Sequence, residues 1–426
     1  MNSKLADEPF AFFVGIDWAD QKHDVCVVDP DGKANHEIIE HSPEAIDAWL
    51  SQLLDRANGQ RVAIILEQSR GPLIHALMFR ERVVIYPVNP KQFVRYRESF
   101  GPSGAKDDSR DSRLLARMLF ERHRQMRAWN PDDQETRLLN RLCSTRRNVV
   151  NERTRLAQQL LDQVKAYFPE LLKLAPSKLN ECPLVLEILH KWPDPREFRQ
   201  AHPKDLERLF ESHGYRKPEQ RTAMIDAVRN AKLLSTDEAL LTPAALHCQM
   251  LSQQIVVCQK TIDALEEKID EVMKKHADAK LFSELPGAGK ALAPRLLTAF
   301  GSERDRYESA DELATYSGIA PVTRQSGKQR IVSRRMACPK YLRQTFHEFA
   351  DSARKWCPWS KAYYTMLKSK GMKHHAALRK LASRWIRILF KVWKTRTPYD
   401  ANRYLACLER KNPAVLAFLK IKENPA

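Results

Sequence analysis

Four carboxylates are the residues of this sequence whose types and placement best suit chemistry. Asp17 and Glu67 each end a short apolar run, and Asp108 and Asp111 stand three residues apart after a Gly-Pro-Ser-Gly loop. Carboxylate oxygens are the ligands that Mg²⁺ prefers, usually a few of them together with substrate phosphate. Two such ions can hold the attacking and leaving oxygens of a phosphodiester. If the four acids cluster, they predict a site for Mg²⁺ or Mn²⁺ that cuts or joins nucleic acid.

The elements that must position these acids are strands and helices in alternation. Four short apolar runs predict buried strands over residues 12–17, 23–28, 61–66 and 83–86, with the first two joined in a hairpin. Helical patterns fill residues 44–56 and 73–80. This alternation predicts an α/β layer. The i, i+3 spacing of Asp108 and Asp111 puts both on one face of a further helix.

Each acid also has a simpler interpretation. An acid at a strand end is usually a solvated turn residue, and Asp108 or Asp111 alone would favour the N-terminus of a helix electrostatically. Asp20 and Asp107 compete for the same roles. The occurrence of all four acids in this order, on these elements, favours the metal site.

The composition narrows the class of protein. A chain of 426 residues is long enough for two or three domains. No apolar run reaches the ~20 residues of a membrane span, and the N-terminus lacks the pattern of a signal peptide. Eight scattered cysteines without a Cys-x-x-Cys pair fit a reducing compartment. We therefore expect a cytoplasmic protein without a membrane partner.

The net charge of +18 is concentrated near the C-terminus. Residues 321–400 hold 20 Lys and Arg against three acids, an excess of 17. Such a stretch fits phosphate neutralisation, and interleaved aromatic side chains fit base stacking. The aromatic residues concerned are Tyr341, Trp356, Trp359, Tyr363 and Tyr364. The stretch predicts nucleic-acid binding, although basic stretches are often only solvated helix faces.

The middle of the chain is predicted to be helical. A long helix is expected from Glu135 to Phe168, followed by a polar, proline-punctuated segment over 171–234 to which the sequence assigns no role. Between 251 and 272, apolar residues alternate spacings of four and three, the seam of a coiled coil. Its partner is either a second subunit or an antiparallel helix of this chain. Alternatively, one amphipathic helix packs on its own domain.

Two glycines near residue 288 suggest phosphate binding. Gly287 and Gly289, followed by Lys290, lie between two predicted helices and resemble a helix-hairpin-helix turn, whose backbone amides hold a phosphate. The spacing does not match a P-loop. A tight turn between helices is the simpler alternative.

Ser326 is a candidate nucleophile. It precedes a glycine in a predicted loop and has Arg324, Lys328 and Arg330 as neighbours, with Arg334 and Arg335 further on. Cations beside a serine oxygen would offset charge that develops on a phosphoryl group, so Ser326 suits covalent catalysis. A serine next to a glycine is more often a simple turn residue.

Several motifs of this chain resemble those of a known family. They are Gly15-Ile16-Asp17, Glu67 at a strand end, Val88-Asn89-Pro90, Lys106-x-Asp108-x-x-Asp111-Ser112, Pro286-Gly287-x-Gly289 and Gly318-x-x-Pro321-x-x-x-Gln325-Ser326-Gly327. Together they resemble the DEDD transposases of the insertion-sequence one-ten class, the bridge-RNA-guided recombinases. The resemblance covers roughly residues 10–165 and 245–400.

This resemblance implies a RuvC-like RNase H fold at the N-terminus and a composite active site shared with a C-terminal transposase domain. It implies that Asp17, Glu67, Asp108 and Asp111 bind magnesium, and that Ser326 attacks DNA to form a phosphoserine intermediate. It further implies a structured guide RNA that pairs with target and donor DNA, and a dimer or tetramer of identical subunits in the nucleoid of a prokaryote. The chain departs from the family pattern at Asp107, where a threonine is common, and in its long 171–234 segment.

The expected organisation has four parts. A RuvC-like catalytic domain spans 10–130, and a helical linker spans 131–280 with the insertion 171–234 and a coiled coil over 245–276. A mainly helical transposase domain spans 281–400, and a tail follows over 401–426. The expected function is excision and insertion of a mobile element. A RuvC-like junction nuclease and a non-catalytic nucleic-acid-binding protein are the alternatives.

Overall fold

A computed structural model gives the fold of residues 9–67, 71–100, 108–175, 179, 182–327 and 329–420. Two compact units form along the chain, Met1–Pro131 and Asp132–Ala426. The first is a mixed α/β unit and the second is almost wholly helical. This confirms the prediction of an N-terminal α/β layer followed by a helical remainder.

The described part of the N-terminal unit contains five strands and four α-helices. They are β1 (Phe10–Asp17), β2 (Lys22–Val28), β3 (Ala34–Glu40), α1 (Pro43–Arg56), β4 (Arg61–Leu66), α2 (Pro72–Leu77), β5 (Val83–Pro87), α3 (Pro90–Glu98) and α4 (Asp108–Arg122), with a short 3-10 turn at His123–Gln125. Every predicted strand of this unit is present. Strand β3 and helix α3 were not predicted.

The five strands form one sheet in the order β3-β2-β1-β4-β5. Strand β1 runs antiparallel to β2, and β2 antiparallel to β3. Strand β4 lies parallel to β1, and β5 parallel to β4. Because Ile16 pairs with Leu66 in register, β1 and β4 end at the same edge of the sheet.

Helices cover both faces of this sheet. Val14 and Ile64 pack in one cluster with apolar side chains of α1 and α2, and Phe13 and Ile65 pack in another with those of α4. Strands buried on both faces have continuous apolar runs rather than alternating ones. This explains why the strands are visible in the sequence as unbroken runs.

Helix α4 lies directly on β1 at Gly15. A Cβ atom at this position would come within 2.2 Å of the Ser112 carbonyl oxygen and 2.3 Å of the Ala116 backbone nitrogen. Only glycine leaves room for this approach. Gly15 therefore brings the early turns of α4 close to the end of β1.

The described part of the C-terminal unit contains fourteen α-helices and one β-hairpin. They are α5 (Gln134–Tyr167), α6 (Pro183–Lys191), α7 (Pro195–Gln200), α8 (Pro203–Ser212), α9 (Pro218–Arg229), α10 (Glu238–Lys275), α11 (Ala279–Ser283), α12 (Gly289–Phe300), α13 (Ala310–Tyr316), β6 (Val322–Ser326), β7 (Gln329–Ser333), α14 (Lys340–Trp356), α15 (Pro358–Ser369), α16 (His374–Thr395), α17 (Ala401–Lys411) and α18 (Pro413–Lys420), with a 3-10 segment at Pro169–Leu174. Among the described helices, none is both long enough and apolar enough to cross a membrane.

The long helices α5 and α10 pack against each other in antiparallel directions. The Thr136 hydroxyl lies 2.9 Å from His276 Nε2, and Arg146 Nε donates to Glu266 Oε1 at 2.9 Å. Along the predicted seam, Leu251, Ile255, Ile262 and Ile269 are buried. Of the alternatives that the sequence left open, the structure shows the antiparallel helix of the same chain.

The α5–α10 pair extends from one hydrophobic core into another. At one end, α6–α9 form a small core with the pair, around Phe168, Phe198 and Phe210. At the other end, Leu139 and Ile269 belong to the core of α11–α18. The described part of the proline-punctuated segment 171–234 is thus a packed helical module, because its short helices bury a shared set of apolar side chains.

Residues 401–426 were expected to form a tail, and the described part of this stretch is different. Helices α17 and α18 carry Leu408 and Val415, which are buried in the same core as Trp385. Apolar side chains at helical spacing hold these two helices on the domain. Residues 401–420 therefore belong to the C-terminal core.

Candidate active site

Two strand-end acids meet at one edge of the N-terminal sheet. Asp17 is the last residue of β1 and Glu67 follows β4 directly, so the register of these parallel strands brings both acids to the same edge. Both line a small cavity of about 50 Å³, together with Trp18, Leu73 and Ile74. The structure thus brings Asp17 and Glu67 together, as the order of strands and acids predicted.

Asp111 has a different environment. Its side chain is buried, with the residue only 5% exposed, and its Oδ2 accepts a hydrogen bond from Arg97 Nη1 at 2.9 Å. Its Oδ1 is also buried and has no hydrogen-bond partner within the described ranges. Asp108 opens α4 and is exposed. The two acids of α4 therefore differ: Asp111 is buried and Asp108 is exposed.

The four acids do not form one compact ligand set. No group of three His, Cys, Asp or Glu side chains among the described residues lies close enough together to hold a metal ion. Of the two rival acids, Asp20 is exposed after β1, and Asp107 lies outside the described residues together with Lys106. A site with all four carboxylates as ligands stays a prediction.

The residues present nevertheless fit a divalent ion whose coordination is completed by substrate oxygens. Mg²⁺ is usually bound through one or two carboxylates together with substrate phosphates, and Asp17 and Glu67 supply such a pair at one cavity. The buried Oδ1 of Asp111 is a carboxylate oxygen that still needs a donor or cation. The buried indole N–H of Trp18, beside Asp17, likewise lacks a partner in this part of the chain.

Arg97 is a residue of this site that the sequence did not reveal. It lies on α3, and its ion pair with Asp111 joins α3 to α4. No motif marked it, because α3 was not predicted. Pro90 was noted only as part of the family motif Val88-Asn89-Pro90 and as a residue that closes the strand before it. The signal that was available is Pro90 at the first position of a helix, after the capping residue Asn89.

Ser326 lies in a hairpin rather than in the predicted loop. It is the last residue of β6 and pairs with Gln329 of β7, across a turn in which Gly327 has a φ of 54°. Short strands with polar residues and no core contact give little sequence signal for a hairpin. Ser326 is exposed, as are all five residues of β7.

The cations around Ser326 are arranged by the hairpin. Arg324 precedes Ser326 by two residues, so both side chains lie on one face. Arg330 pairs with Gln325 and therefore lies on the opposite face. Lys328 lies outside the described residues. Of the described cations that were predicted to neighbour Ser326, Arg324 therefore lies on the same face of the hairpin and Arg330 on the opposite face.

The two glycines near residue 288 form a tight turn with a packing role. Gly287 has a φ of 81°, and a Cβ atom there would lie 2.9 Å from the Ser352 carbonyl carbon of α14. The Ser352 hydroxyl donates to the Gly287 carbonyl oxygen at 2.7 Å. Gly289 opens α12, and Lys290 forms an ion pair with Asp270 at 3.0 Å. Phosphate binding at this turn stays a prediction.

The aromatic residues of the basic stretch are divided between core and surface. Trp359 is 1% exposed and packs against Trp385, so its expected stacking on bases is wrong. Tyr341 is partly buried and donates to the Cys143 carbonyl oxygen at 3.2 Å. Trp356 is 73% exposed. Helical spacing of aromatic residues indicates a core face at least as often as a binding face.

Arg334 and Arg335 follow β7 directly. Arg334 is exposed. Arg335 is partly buried, and its Nε has no hydrogen-bond partner within the described residues. The structure thus leaves both residues next to the hairpin of Ser326, in the stretch with the largest excess of positive charge.

Comparison with protein families gives two matches. A DEDD transposase model of the IS110 type matches residues 14–169, which include all four acids. A model described as transposase of the IS116/IS110/IS902 family matches residues 279–365, which include the glycine turn and Ser326. The module of α6–α9 lies between the two matched regions.

Individual relatives agree with these matches. A candidate mini-circle transposase for IS117 from Streptomyces coelicolor is 27% identical over 415 residues, or 94% of this chain and 98% of the relative. The 44.8 kDa protein of insertion element IS116 from Streptomyces clavuligerus is 25% identical over 383 residues, 89% and 93% of the two chains. A candidate transposase, y4uE, from Sinorhizobium fredii is 29% identical over 209 residues, 48% of this chain and 57% of the relative. Because both family models match and the IS117 and IS116 relatives match over nearly their full length, this chain belongs to the IS110 family of transposases, as its motifs predicted.

Proposed function

We propose that this transposase excises and inserts its element by cutting and rejoining DNA, with Ser326 as the nucleophile and the N-terminal carboxylates as the metal site. The observation that carries the proposal is the exposed Ser326 at the end of β6, on the same face as Arg324, inside a region matched by a transposase family. An exposed serine can reach a phosphodiester, and a cation beside it offsets charge on the phosphoryl oxygens.

The N-terminal unit supports the second part of the proposal. Its mixed sheet, an antiparallel meander β1-β2-β3 followed by parallel β4 and β5, supports the RuvC-like RNase H fold that the family resemblance implies. Asp17 and Glu67 at one cavity, with Asp108 and Asp111 on α4, would hold Mg²⁺ or Mn²⁺. When bound, a divalent ion stabilises negative charge on the oxygens of a phosphodiester.

The covalent step exchanges one phosphoester bond for another. Ser326 Oγ attacks the DNA phosphorus, its proton passes to solvent at the exposed turn, and a bond forms between Oγ and phosphorus. The bond from phosphorus to one deoxyribose oxygen breaks, and that oxygen leaves with a proton as a free hydroxyl. A hydroxyl of the second DNA then attacks the phosphoserine, which releases Ser326 and joins the strands. Because each phosphoester bond is exchanged for another and none is hydrolysed, the free energy of the cut bond remains available for joining the strands.

The partners of the proposed reaction are nucleic acids and further copies of the chain. The excess of 17 positive charges over residues 321–400 supports contact with backbones, which positions a protein without reading sequence. Sequence choice would then come from a structured guide RNA that pairs with element and target DNA. Two DNA segments must be held at once, which favours a dimer or tetramer.

A covalent adduct tests the proposal. DNA that carries the element ends, together with the RNA transcribed beside the gene, is incubated with protein and Mg²⁺ and separated under denaturing conditions. We expect a slow-migrating protein–DNA adduct from the unaltered protein and none from Ser326→Ala. Ser333→Ala is a matched control, because Ser333 is an exposed serine at the end of β7.

Other outcomes separate the alternatives. Cleavage by Ser326→Ala at the unaltered rate would show a nuclease that uses the carboxylates and water. Binding without cleavage by the unaltered protein would show a non-catalytic nucleic-acid-binding protein. Either result would contradict the proposed function.

A further inference from the structure

Three arginines of the C-terminal unit lie close together outside the proposed catalytic residues. Arg343 lies on α14, Arg379 lies on α16, and Arg334 stands in the link that leaves β7. Arg343 and Arg379 are partly buried, and Arg334 is exposed. Residues 334, 343 and 379 are distant in sequence. It is therefore the fold that brings these three cations together.

A contact between two histidine rings shows which helix faces meet. The rings of His347 and His375 lie 5.3 Å apart between centroids. Arg343 precedes His347 by four residues on α14, and Arg379 follows His375 by four residues on α16. Residues four apart share a helix face. Arg343 and Arg379 therefore lie on the two helix faces that meet at the contact between these histidines.

The link that carries Arg334 is fixed against the same helix. Arg343 Nη1 donates to the Arg335 carbonyl oxygen at 3.3 Å and lies 3.4 Å from Cys338 Sγ. Cys338 in turn fills the space beside Gly318, where a Cβ atom would come within 2.3 Å of the Sγ. The family motif residue Gly318 thus makes room for Cys338, and the Arg335 backbone is held at the guanidinium of Arg343.

Among the residues that the structure describes, no acid forms an ion pair with any of these three arginines. Asp351, an acid whose charge acts on the neighbouring His347, pairs with Arg354 and Lys355 on its own helix. Burial and the positive charges of Arg334 and Arg343 lower the pKa of Arg379. Like charges repel in a partly buried setting, so the arrangement costs stability unless an anion binds.

The three arginine side chains indicate which class of anion would bind them. Guanidinium groups hold phosphate oxygens with paired, charge-assisted hydrogen bonds. Three of them converging from different elements suit one tetrahedral anion better than a flat carboxylate. Arg334 is the residue immediately after β7, whose partner strand β6 ends in Ser326. Ser326 pairs with Gln329 at the start of β7, so Arg334 lies at the other end of the hairpin, about 17 Å away along the strand. A nucleic-acid strand that runs along the hairpin would reach both Ser326 and this group.

We propose that Arg334, Arg343 and Arg379 form a site for one backbone phosphate of the DNA strand that Ser326 cleaves. This inference rests on the proposed function and adds a positioning site to it. The site holds the DNA strand in a fixed position relative to the hairpin. The hairpin cannot do this by itself, because its own residues are not held in a hydrophobic core.

The salt dependence of DNA binding tests the site. The dissociation constant of a short labelled DNA duplex is measured over a series of NaCl concentrations, in the Ser326→Ala protein so that no adduct forms. Each phosphate contact contributes about 0.9 to the slope of log K against log salt. We expect R334Q and R379Q each to weaken binding, and the double variant to reduce the slope by about one in total.

A matched control separates this site from a general loss of charge. Arg387 lies on α16 like Arg379, but it is paired with Asp311 at 3.0 Å. R387Q is expected to leave the slope unchanged. Thermal melting supplies a second readout: R379Q relieves repulsion and should melt no lower than the unaltered protein, whereas loss of a structural arginine lowers the melting temperature.

Several results would overturn the inference. An unchanged slope in the double variant, or an equal effect of R387Q, would show that these arginines hold no DNA phosphate. A slope reduced by about two would show separate phosphates rather than one shared site. A reduced slope with a structured RNA hairpin but not with DNA would assign the site to RNA. If the protein binds no DNA at all, the proposed function fails as well.

Discussion

Asp111 is the most constrained of the four acids. One of its oxygens is fixed by Arg97, and the other is buried without a partner among the described residues. A half-satisfied buried carboxylate is costly on its own. This cost fits a group whose second oxygen acts when substrate and ion are bound. Arg97 then determines the orientation of that oxygen.

Removing Arg97 should therefore affect stability. In Arg97→Met, Asp111 keeps its burial and loses its charged partner, and the expected cost is about 1–3 kcal/mol. Urea denaturation of the two proteins measures it. Arg95→Met is the control, because Arg95 is exposed on the same helix. A loss within about 0.5 kcal/mol for Arg97→Met would show that the pair does not hold α3 to α4.

The strand-end acids should affect the reaction and leave the fold intact. Asp17→Asn and Glu67→Gln keep the shape of each side chain and remove the charge that a divalent ion needs. We expect the rate of strand cleavage to fall by about a hundredfold or more, since metal stabilisation of phosphoryl charge is worth several kcal/mol. Removal of divalent ions from the unaltered protein should have the same effect.

Asp20→Asn serves as the control for this pair of variants. Asp20 lies three residues after Asp17 and is exposed. It should cleave DNA at the unaltered rate. Cleavage by Asp17→Asn that still depends on Mg²⁺ and runs at the unaltered rate would rule out the proposed metal site.

At the scale of single elements, α5 shows how a local signal anchors a long helix. Asp133 caps α5, since its carboxylate accepts from the Thr136 backbone N–H at 2.7 Å. Burial opposes ionisation of this carboxylate, but hydrogen bonds from Thr136 and Ser302 outweigh it and lower the pKa of Asp133. A capping acid with a lowered pKa stabilises the folded state as long as it stays ionised.

Asp133→Ala should consequently have a pH-dependent cost. At neutral pH we expect a loss of about 1 kcal/mol or somewhat more. The folded pKa is below the unfolded one, so this stabilisation is present above about pH 4 and declines as the pH falls further. Urea denaturation across this range measures the difference from the unaltered protein. Glu135→Ala, an exposed acid in the same turn, should show a smaller loss, and an equal loss would contradict the cap.

The seam between α5 and α10 allows a test of whether its two helices belong to the same chain. Ile262 is 3% exposed, and Ile262→Ala should cost about 2–4 kcal/mol because it opens a cavity. Since its partner is in the same chain, the loss should not depend on protein concentration. Val257→Ala is the control, as Val257 is 62% exposed on the same helix. A concentration-dependent loss would indicate a seam between subunits.

Buried strands could be predicted from the sequence, whereas exposed strands could not. Strands β1 and β4 were visible because both of their faces are covered, and their acids could be placed at one edge from that alone. Strand β3 was missed, since most of its residues remain accessible and its sequence is largely polar. The hairpin β6–β7 was missed for the same reason. Arg97 could not be found because its role depends on a contact between helices that no spacing encodes.

For the whole molecule, charge was easier to predict than the use of aromatic residues. The excess of positive charge over residues 321–400 is a sum that needs no coordinates. Whether Trp359 stacks on bases or fills a core depends on helix packing, and it fills the core. The three uncompensated arginines likewise emerge only when the link after β7, α14 and α16 are seen together.

The module of α6–α9 is the part of the molecule least explained by family membership. It has its own core and lies between the two regions that the family models match. Its position at one end of the α5–α10 pair separates it from the core of α11–α18. Nothing in its described residues indicates a catalytic role, and the proposed reaction does not require one from it.

The central claim is that Ser326 becomes bonded to DNA. The protein is incubated with element-end DNA, guide RNA and Mg²⁺, the DNA is trimmed by nuclease, and the modified peptide is identified by mass spectrometry. We predict a nucleotide remnant linked through phosphate to Ser326, absent from Ser326→Ala and present in Ser333→Ala. Cleaved DNA with no linked peptide, or a linkage at another residue, would contradict the account.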